Sequence, residues 1–98
     1  MEVTMQKDGD KLTMAVEGRL DAMTTSEFEK TLRKNIEGVA ELILDLAELE
    51  YLSSAGLRVV LYAQKVMDAQ GTMKVRNARQ DIMDIFVVTG FSDILTFE

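Results

Sequence analysis

Cysteine, histidine, proline and tryptophan are all missing from this chain of 98 residues. Without cysteine there is no disulfide, no thiolate nucleophile and no sulfur-bound metal. Without histidine the commonest general base, the commonest metal ligand and the usual proton switch near neutral pH are gone. Chemistry here rests on carboxylates, hydroxyls, lysine and arginine alone. Positive charge is also scarce. The formal net charge of −6 argues against nucleic acid, because phosphate binding needs a clustered positive face. Uninterrupted apolar stretches are only a few residues long, so no membrane insertion is expected. The start, Met1-Glu2-Val3-Thr4, is polar and strand-like rather than a signal peptide, and a cytoplasmic location is the expectation. No proline-rich linker, low-complexity segment or internal repeat divides the chain, so residues 1–98 read as one domain.

What is present is an aliphatic α/β pattern. Val3 and Met5 alternate with Glu2, Thr4 and Gln6, and Leu12, Met14 and Val16 alternate with Thr13, Ala15 and Glu17. Asp8-Gly9-Asp10 between them is a hairpin signal, and Gly18 is expected to end the second strand. Phe28, Leu32 and Ile36 then recur at helical spacing. Thr24 or Thr25 is the expected N-cap of that helix and Gly38 its stop. Leu42-Ile43-Leu44-Asp45-Leu46 is the strongest strand, its near-continuous apolar run suiting a central parallel position. Ala47 to Leu52 reads as a connection.

A second helix is expected from about Ser54 to Gln70 and a strand from Thr72 to Arg76. A third helix carries Ile82, Ile85 and Phe86, with Asn77 as its expected cap and Gly90 as its stop. Ile94, Leu95 and Phe97 fit either a short strand or a last helical turn. The outward strand positions, Glu2/Thr4/Gln6, Thr13/Ala15/Glu17, Ile43/Asp45 and Thr72/Lys74/Arg76, are mostly small or polar. That predicts a mixed, mainly parallel sheet with the main helices on one face and the other face largely wet.

The stretch Tyr51-Leu52-Ser53-Ser54-Ala55-Gly56-Leu57-Arg58 puts two hydroxyls where a turn feeds a helix N-terminus. The first amides of a helix lack internal partners, so a serine cap and a phosphate are both at home there. Spacing alone leaves two readings open, an ordinary cap and a phosphorylation switch. Ser54, Arg58, Tyr62 and Lys65 share a helical stripe about 80° wide, outside the apolar sector, which reads either as a contact face or as plain solvated surface. The loops Arg19–Thr25 and Ala47–Ser54 both follow strands that feed helices, so Asp21 and Thr24 are expected near Ser53 and Ser54. Asp45 also invites comparison with an aspartyl phospho-acceptor. No adjacent acidic pair that would hold a magnesium ion follows the first strand.

Four segments together resemble the STAS family, specifically bacterial anti-sigma factor antagonists. They are Gly18-Arg19-Leu20-Asp21-Ala22, Leu44-Asp45-Leu46, Tyr51 to Leu57, and Val88-Thr89-Gly90-Phe91, in that order and spanning essentially the whole chain. The resemblance implies a small fold of a β-hairpin followed by βαβαβα. It also implies a regulatory binding protein, with neither enzymatic activity nor cofactor nor metal. In such a protein the unphosphorylated form binds an anti-sigma factor that is also a serine kinase, and a sigma factor is released. Phosphorylation at the start of the second helix ends the binding, and a serine phosphatase resets the cycle. The family acceptor lies two residues before a Gly-Leu pair, which here is Ser54. Ser53 stands where well-known kinase-regulated members often have aspartate, and Ala55 where they often have serine or threonine. The partner-binding set implied is Asp21, Met23, Thr24, Ser53, Ser54, Gly56, Arg58 and Tyr62, on a chain that is monomeric when free. Two alternatives stand beside it. One is a non-switching STAS subunit of a membrane transport or lipid-trafficking assembly. The other is a small enzyme using Asp21 and Ser54, disfavoured by the lack of histidine, cysteine and any phosphate-cradling glycine loop.

Overall fold

Two alternating strands joined by a tight glycine turn close on each other and seed the sheet. In the computed structural model, which describes residues 1–98, β1 (Glu2–Asp8) and β2 (Lys11–Leu20) pair antiparallel from Glu2 opposite Glu17 to Asp8 opposite Lys11. Helix α1 (Thr25–Asn35) returns the chain to β3 (Glu41–Asp45), parallel to β2. A short strand β4 (Leu49–Leu52), helix α2 (Ser54–Gln70), strand β5 (Thr72–Arg76) and helix α3 (Gln80–Val88) follow, and a 3-10 turn spans Phe91–Asp93. The sheet order is β1-β2-β3-β5, with β4 paired to the far end of β2.

The inward strand residues carry the core. Leu12, Met14 and Val16 of β2, Leu42 and Leu44 of β3, and Met73 and Val75 of β5 join Phe28 and Leu32 of α1, Leu57, Val60 and Met67 of α2, and Ile82 and Phe86 of α3 in one apolar cluster. Each such side chain contributes about 1.5–3 kcal/mol when buried. All three helices feed this one cluster, so they share a face of the sheet, as the amphipathic strands predict. Ile43 is the exception on the other face. It is 0% exposed and stands outside the cluster, with half-buried Thr13 and Lys74 opposite it on the neighbouring strands.

Several expectations need correction. Met5, expected inward, is 42% exposed, because β1 is an edge strand that contacts little besides β2. Gly18 does not end β2. It sits at φ 90° where the register shifts, and the strand runs on to Leu20 against β4. The segment read as a plain connection therefore contains β4, with Leu49 and Leu52 buried as expected, and the element order is ββαββαβα. Asn77 does not cap α3. It takes a left-handed φ of 61°, and Arg79 precedes the helix. Ile85 is only half-buried beside Ile82 and Phe86. The last residues use both alternatives in turn. After the 3-10 turn, Phe97 bridges Val75 in parallel, the Val75 amide donates to Thr96 O at 2.9 Å, and the Phe97 ring lies 5.7 Å from Phe86.

Two contacts lock α2 to the connection before β3. The Gln70 Nε2 donates to the carbonyls of Ile36 and Val39, each at 2.7 Å, satisfying acceptors at the end of α1. At Gly71 the chain passes so close to Ala40 that a β-carbon would stand 1.9 Å from the Ala40 carbonyl oxygen. Backbone cannot yield there as a flexible side chain could. Gly71→Ala is therefore expected to lower unfolding stability by about 1–3 kcal/mol, the cost of overpacking. Urea denaturation of the two proteins, compared by midpoint at constant slope, measures it.

Candidate functional site

The loop Arg19–Thr25 is held by its own polar groups. Asp21 Oδ1 accepts the amides of Met23 at 2.9 Å and Thr24 at 3.0 Å. Thr24 Oγ1 donates to the Arg19 carbonyl at 2.6 Å and accepts the Asp21 amide at 3.1 Å, while Thr25 Oγ1 donates to the Asp21 carbonyl at 2.6 Å. Thr24 occupies the cap position of α1, but its hydroxyl is spent on this loop and caps nothing. The amides of Thr24 and Met23 hold the Asp21 carboxyl below the ordinary aspartate value. An acceptor so engaged, and so stabilised as the anion, is a poor general base near neutral pH.

The second loop meets the first through backbone. The Ser53 amide donates to the Leu20 carbonyl at 2.8 Å. Ser53 takes an extended conformation (φ −83°, ψ 171°), and its Oγ accepts the Gly56 amide at 3.2 Å. The Leu57 amide closes the first turn of α2 on the Ser53 carbonyl at 2.9 Å. Ser53 is therefore the N-cap, which is the ordinary reading of one of the two serines. Ser54, one residue on, is exposed, and its hydroxyl makes no hydrogen bond within the chain. Gly56 is buried. A β-carbon there would lie 2.7 Å from Leu52 Cδ1 and 3.2 Å from Leu20 Cβ. It seats the helix against the end of β2.

A groove of about 390 Å³ runs between the two helices at this corner, lined by Ser26, Glu29 and Arg33 on one side and Ala55, Arg58 and Tyr62 on the other. Arg33 lies 4.2 Å above the Tyr62 ring, donates to Tyr62 Oη at 3.3 Å, and pairs with Glu29 at 2.8 Å. Tyr62 is thus half-buried and held from α1, not a free aromatic between Arg58 and Lys65 as the stripe suggests. Arg58 is exposed and forms no ion pair. On the other flank Arg19 lies 4.3 Å above the Tyr51 ring, and Met23 is 86% exposed.

The structure brings Asp21, Met23, Thr24, Ser53, Ser54 and Arg58 to one corner, with Tyr62 a helical turn beyond. Sequence patterns do not single out Arg33, Glu29, Arg19 or Tyr51. The Arg33–Glu29 spacing is a visible helical pair, but its reach across to Tyr62 depends on how the two helices pack. Asp45 is occupied structurally, accepting the Ala47 amide at 3.1 Å and Asn77 Nδ2 at 3.4 Å. No three carboxylates converge in a way that could hold a metal ion.

The sign of the Asp21 contribution follows from its lowered pKa. The stabilisation is fully present above the ordinary aspartate value and is lost as pH falls through the lower folded value. Asp21→Ala is expected to be less stable than the parent at pH 7, with the gap narrowing as pH falls below 4. Urea melts of both proteins across that range check it, and a gap that widens in acid contradicts it.

The family model described as "Mlab, STAS domain" matches residues 3–96. The chain is 31% identical over 96 residues to the candidate anti-sigma factor antagonist BtrV of Bordetella bronchiseptica, covering 96% of this chain and 83% of that one. It is 30% identical over 93 residues to the anti-sigma-B factor antagonist of Listeria monocytogenes, covering 92% and 81%. In fold it is similar to the anti-sigma factor antagonist SpoIIAA in its unphosphorylated form, with a TM-score of 0.84 at 16% identity, covering 99% and 88%. It is also similar to SpoIIAA of Bacillus in the phosphorylated form, with a TM-score of 0.77 at 16% identity, covering 99% and 91%. The chain belongs to the STAS domain family, and stands among its bacterial anti-sigma factor antagonists.

Proposed function

We propose that the chain works as one STAS unit that switches partners at Ser54. In the unphosphorylated state the corner formed by Asp21–Thr25 and Ser53–Arg58 docks onto an anti-sigma factor with serine-kinase activity, and the sigma factor held by that protein is set free. The kinase then transfers phosphate to Ser54. The Ser54 oxygen attacks the γ-phosphorus of ATP, its proton passes to a base on the kinase, and ADP leaves. A serine phosphatase restores the hydroxyl by hydrolysis. The setting is the cytoplasm, with the free chain monomeric. No helix is long and apolar enough to cross a membrane.

One observation carries this reading. Of two adjacent serines, Ser53 is used up as a cap and Ser54 is left exposed with an unengaged hydroxyl. The cap holds the helix in place whether or not its neighbour is modified. A phosphoserine brings about −1.5 to −2 charges and does not melt a helix N-terminus. Its effect falls on the partner. An unpaired charge trapped in an interface costs about 3 kcal/mol or more, which is roughly a hundredfold in affinity. Exposed Met23 and the Arg19–Tyr51 pair beside the serine supply the apolar and cationic surface typical of interfaces. The relatives named as anti-sigma factor antagonists, one of them known in both phosphorylation states, support the same reading.

The test uses an anti-sigma factor with serine-kinase activity as the partner. Incubation with that protein and ATP, followed by peptide mass spectrometry, is expected to place a single phosphate on Ser54. Ser54→Ala should bind the kinase within about threefold of the parent, and Ser54→Asp about tenfold or more weaker, given one unpaired charge. Phosphate at another residue, or equal binding of the aspartate variant, contradicts the assignment. Co-purification with an ATPase or permease instead, unaffected by the Ser54 substitutions, would favour the non-switching subunit of a transport assembly.

A further inference from the structure

The groove beside Ser54 holds two arginines, and only one of them is spoken for. Arg33 is committed three ways, to Glu29, to the Tyr62 hydroxyl and to the Tyr62 ring. Arg58 lines the same groove, is exposed, and has neither an ion-pair partner nor an aromatic one. It lies four residues after Ser54 on α2, which on a helix is the next position up the same face. An acidic group placed N-terminal to a basic one at this spacing has the favourable orientation. The other charged or titratable groups that line the groove are Glu29, Arg33 and Tyr62. Glu29 is engaged by Arg33, so no free carboxylate there competes for Arg58.

We propose that Arg58 is the intramolecular counter-ion of phosphorylated Ser54, and that phosphorylation therefore withdraws a cation from the partner-binding groove as well as adding an anion beside it. The inference rests on Ser54 being the modified residue and adds what the modification does inside the free protein. In the unphosphorylated chain Arg58 stands free to meet an acidic group on a partner. In the phosphorylated chain its guanidinium is turned onto the phosphate through charge-assisted hydrogen bonds. The backbone stays put, because the Ser53 cap and the Leu20–Ser53 bond hold the turn independently of the Ser54 side chain. Arg58 is thus a positioning residue: it sets how much of the phosphate's charge reaches a partner.

The experiment places phosphoserine at position 54 by genetic encoding, so no kinase is needed, in the parent, Arg58→Gln, Arg58→Lys and Arg33→Gln chains. Phosphorus NMR titration then reads the second ionisation of the phosphate in each. A neighbouring cation favours the dianion, so the parent phosphate is expected to be about two- to fivefold more acidic than in Arg58→Gln, the range of an exposed ion pair. Arg58→Lys should keep part of the effect and Arg33→Gln nearly all of it. Equal titration of parent and Arg58→Gln overturns the proposal, and so does an effect that disappears with Arg33→Gln instead. Either result leaves Ser54 standing as the site at which a kinase acts. Failure of a kinase to modify Ser54 would remove that reading without altering the measured phosphate–arginine pair.

Discussion

Helix α2 approaches the end of β2 most closely at Gly56, which has no side chain to hold the two apart. Its α-carbon sits where a β-carbon would press on Leu20 and Leu52, and the Ser53 amide is thereby brought to the Leu20 carbonyl at 2.8 Å. This close approach joins two loops that are thirty residues apart in sequence, roughly, into one surface. On one side stands the Asp21 turn, stiffened by amides and hydroxyls that bond within it. On the other stands the first turn of α2 with its serine cap. The partner proposed to dock there would meet a preformed corner and not have to order one, which spares the entropy of fixing flexible loops on binding.

The rest of the chain can be understood as support for that approach. β2 is long enough to serve two neighbours in succession, β3 along its first half and β4 after the shift at Gly18. The second pairing carries the strand end past the main sheet to the point where α2 begins. Gln70 and Gly71 fix the opposite end of α2 against the turn that leads into β3. A helix pinned at both ends and packed along Leu57, Val60 and Met67 has little freedom to tilt. In the proposed switch, modification at its N-terminus acts through charge and bulk at the surface, with the scaffold unchanged.

Much of this was legible in the sequence, and the failures have physical causes. Strict alternation in Leu12, Met14 and Val16, and helical spacing in Phe28, Leu32 and Ile36, identified core faces because burial imposes those periods. Alternation misled at Met5, since an edge strand with little packed over it exposes a residue that its pattern marks as inward. Glycine misled at position 18, where a positive φ kinks a strand that then continues. β4 has too few residues for any period to show, and its existence depends on pairing with a strand thirty residues earlier, roughly. At the site, the turn residues and serines were visible as local signals. The Arg33–Tyr62 stack was not, because it is created by packing between helices and has no local signature.

The proposed switch requires a partner to cover the corner around Ser54, and the footprint of an anti-sigma factor with serine-kinase activity on the isotopically labelled chain tests that most directly. Amide resonances of Ala22–Thr25 and Ser53–Arg58 are predicted to shift or broaden on titration, with β1 and the solvent face of α3 unaffected. Perturbations confined to β1 or α3, with the Ser54 region silent in a stable complex, would contradict it.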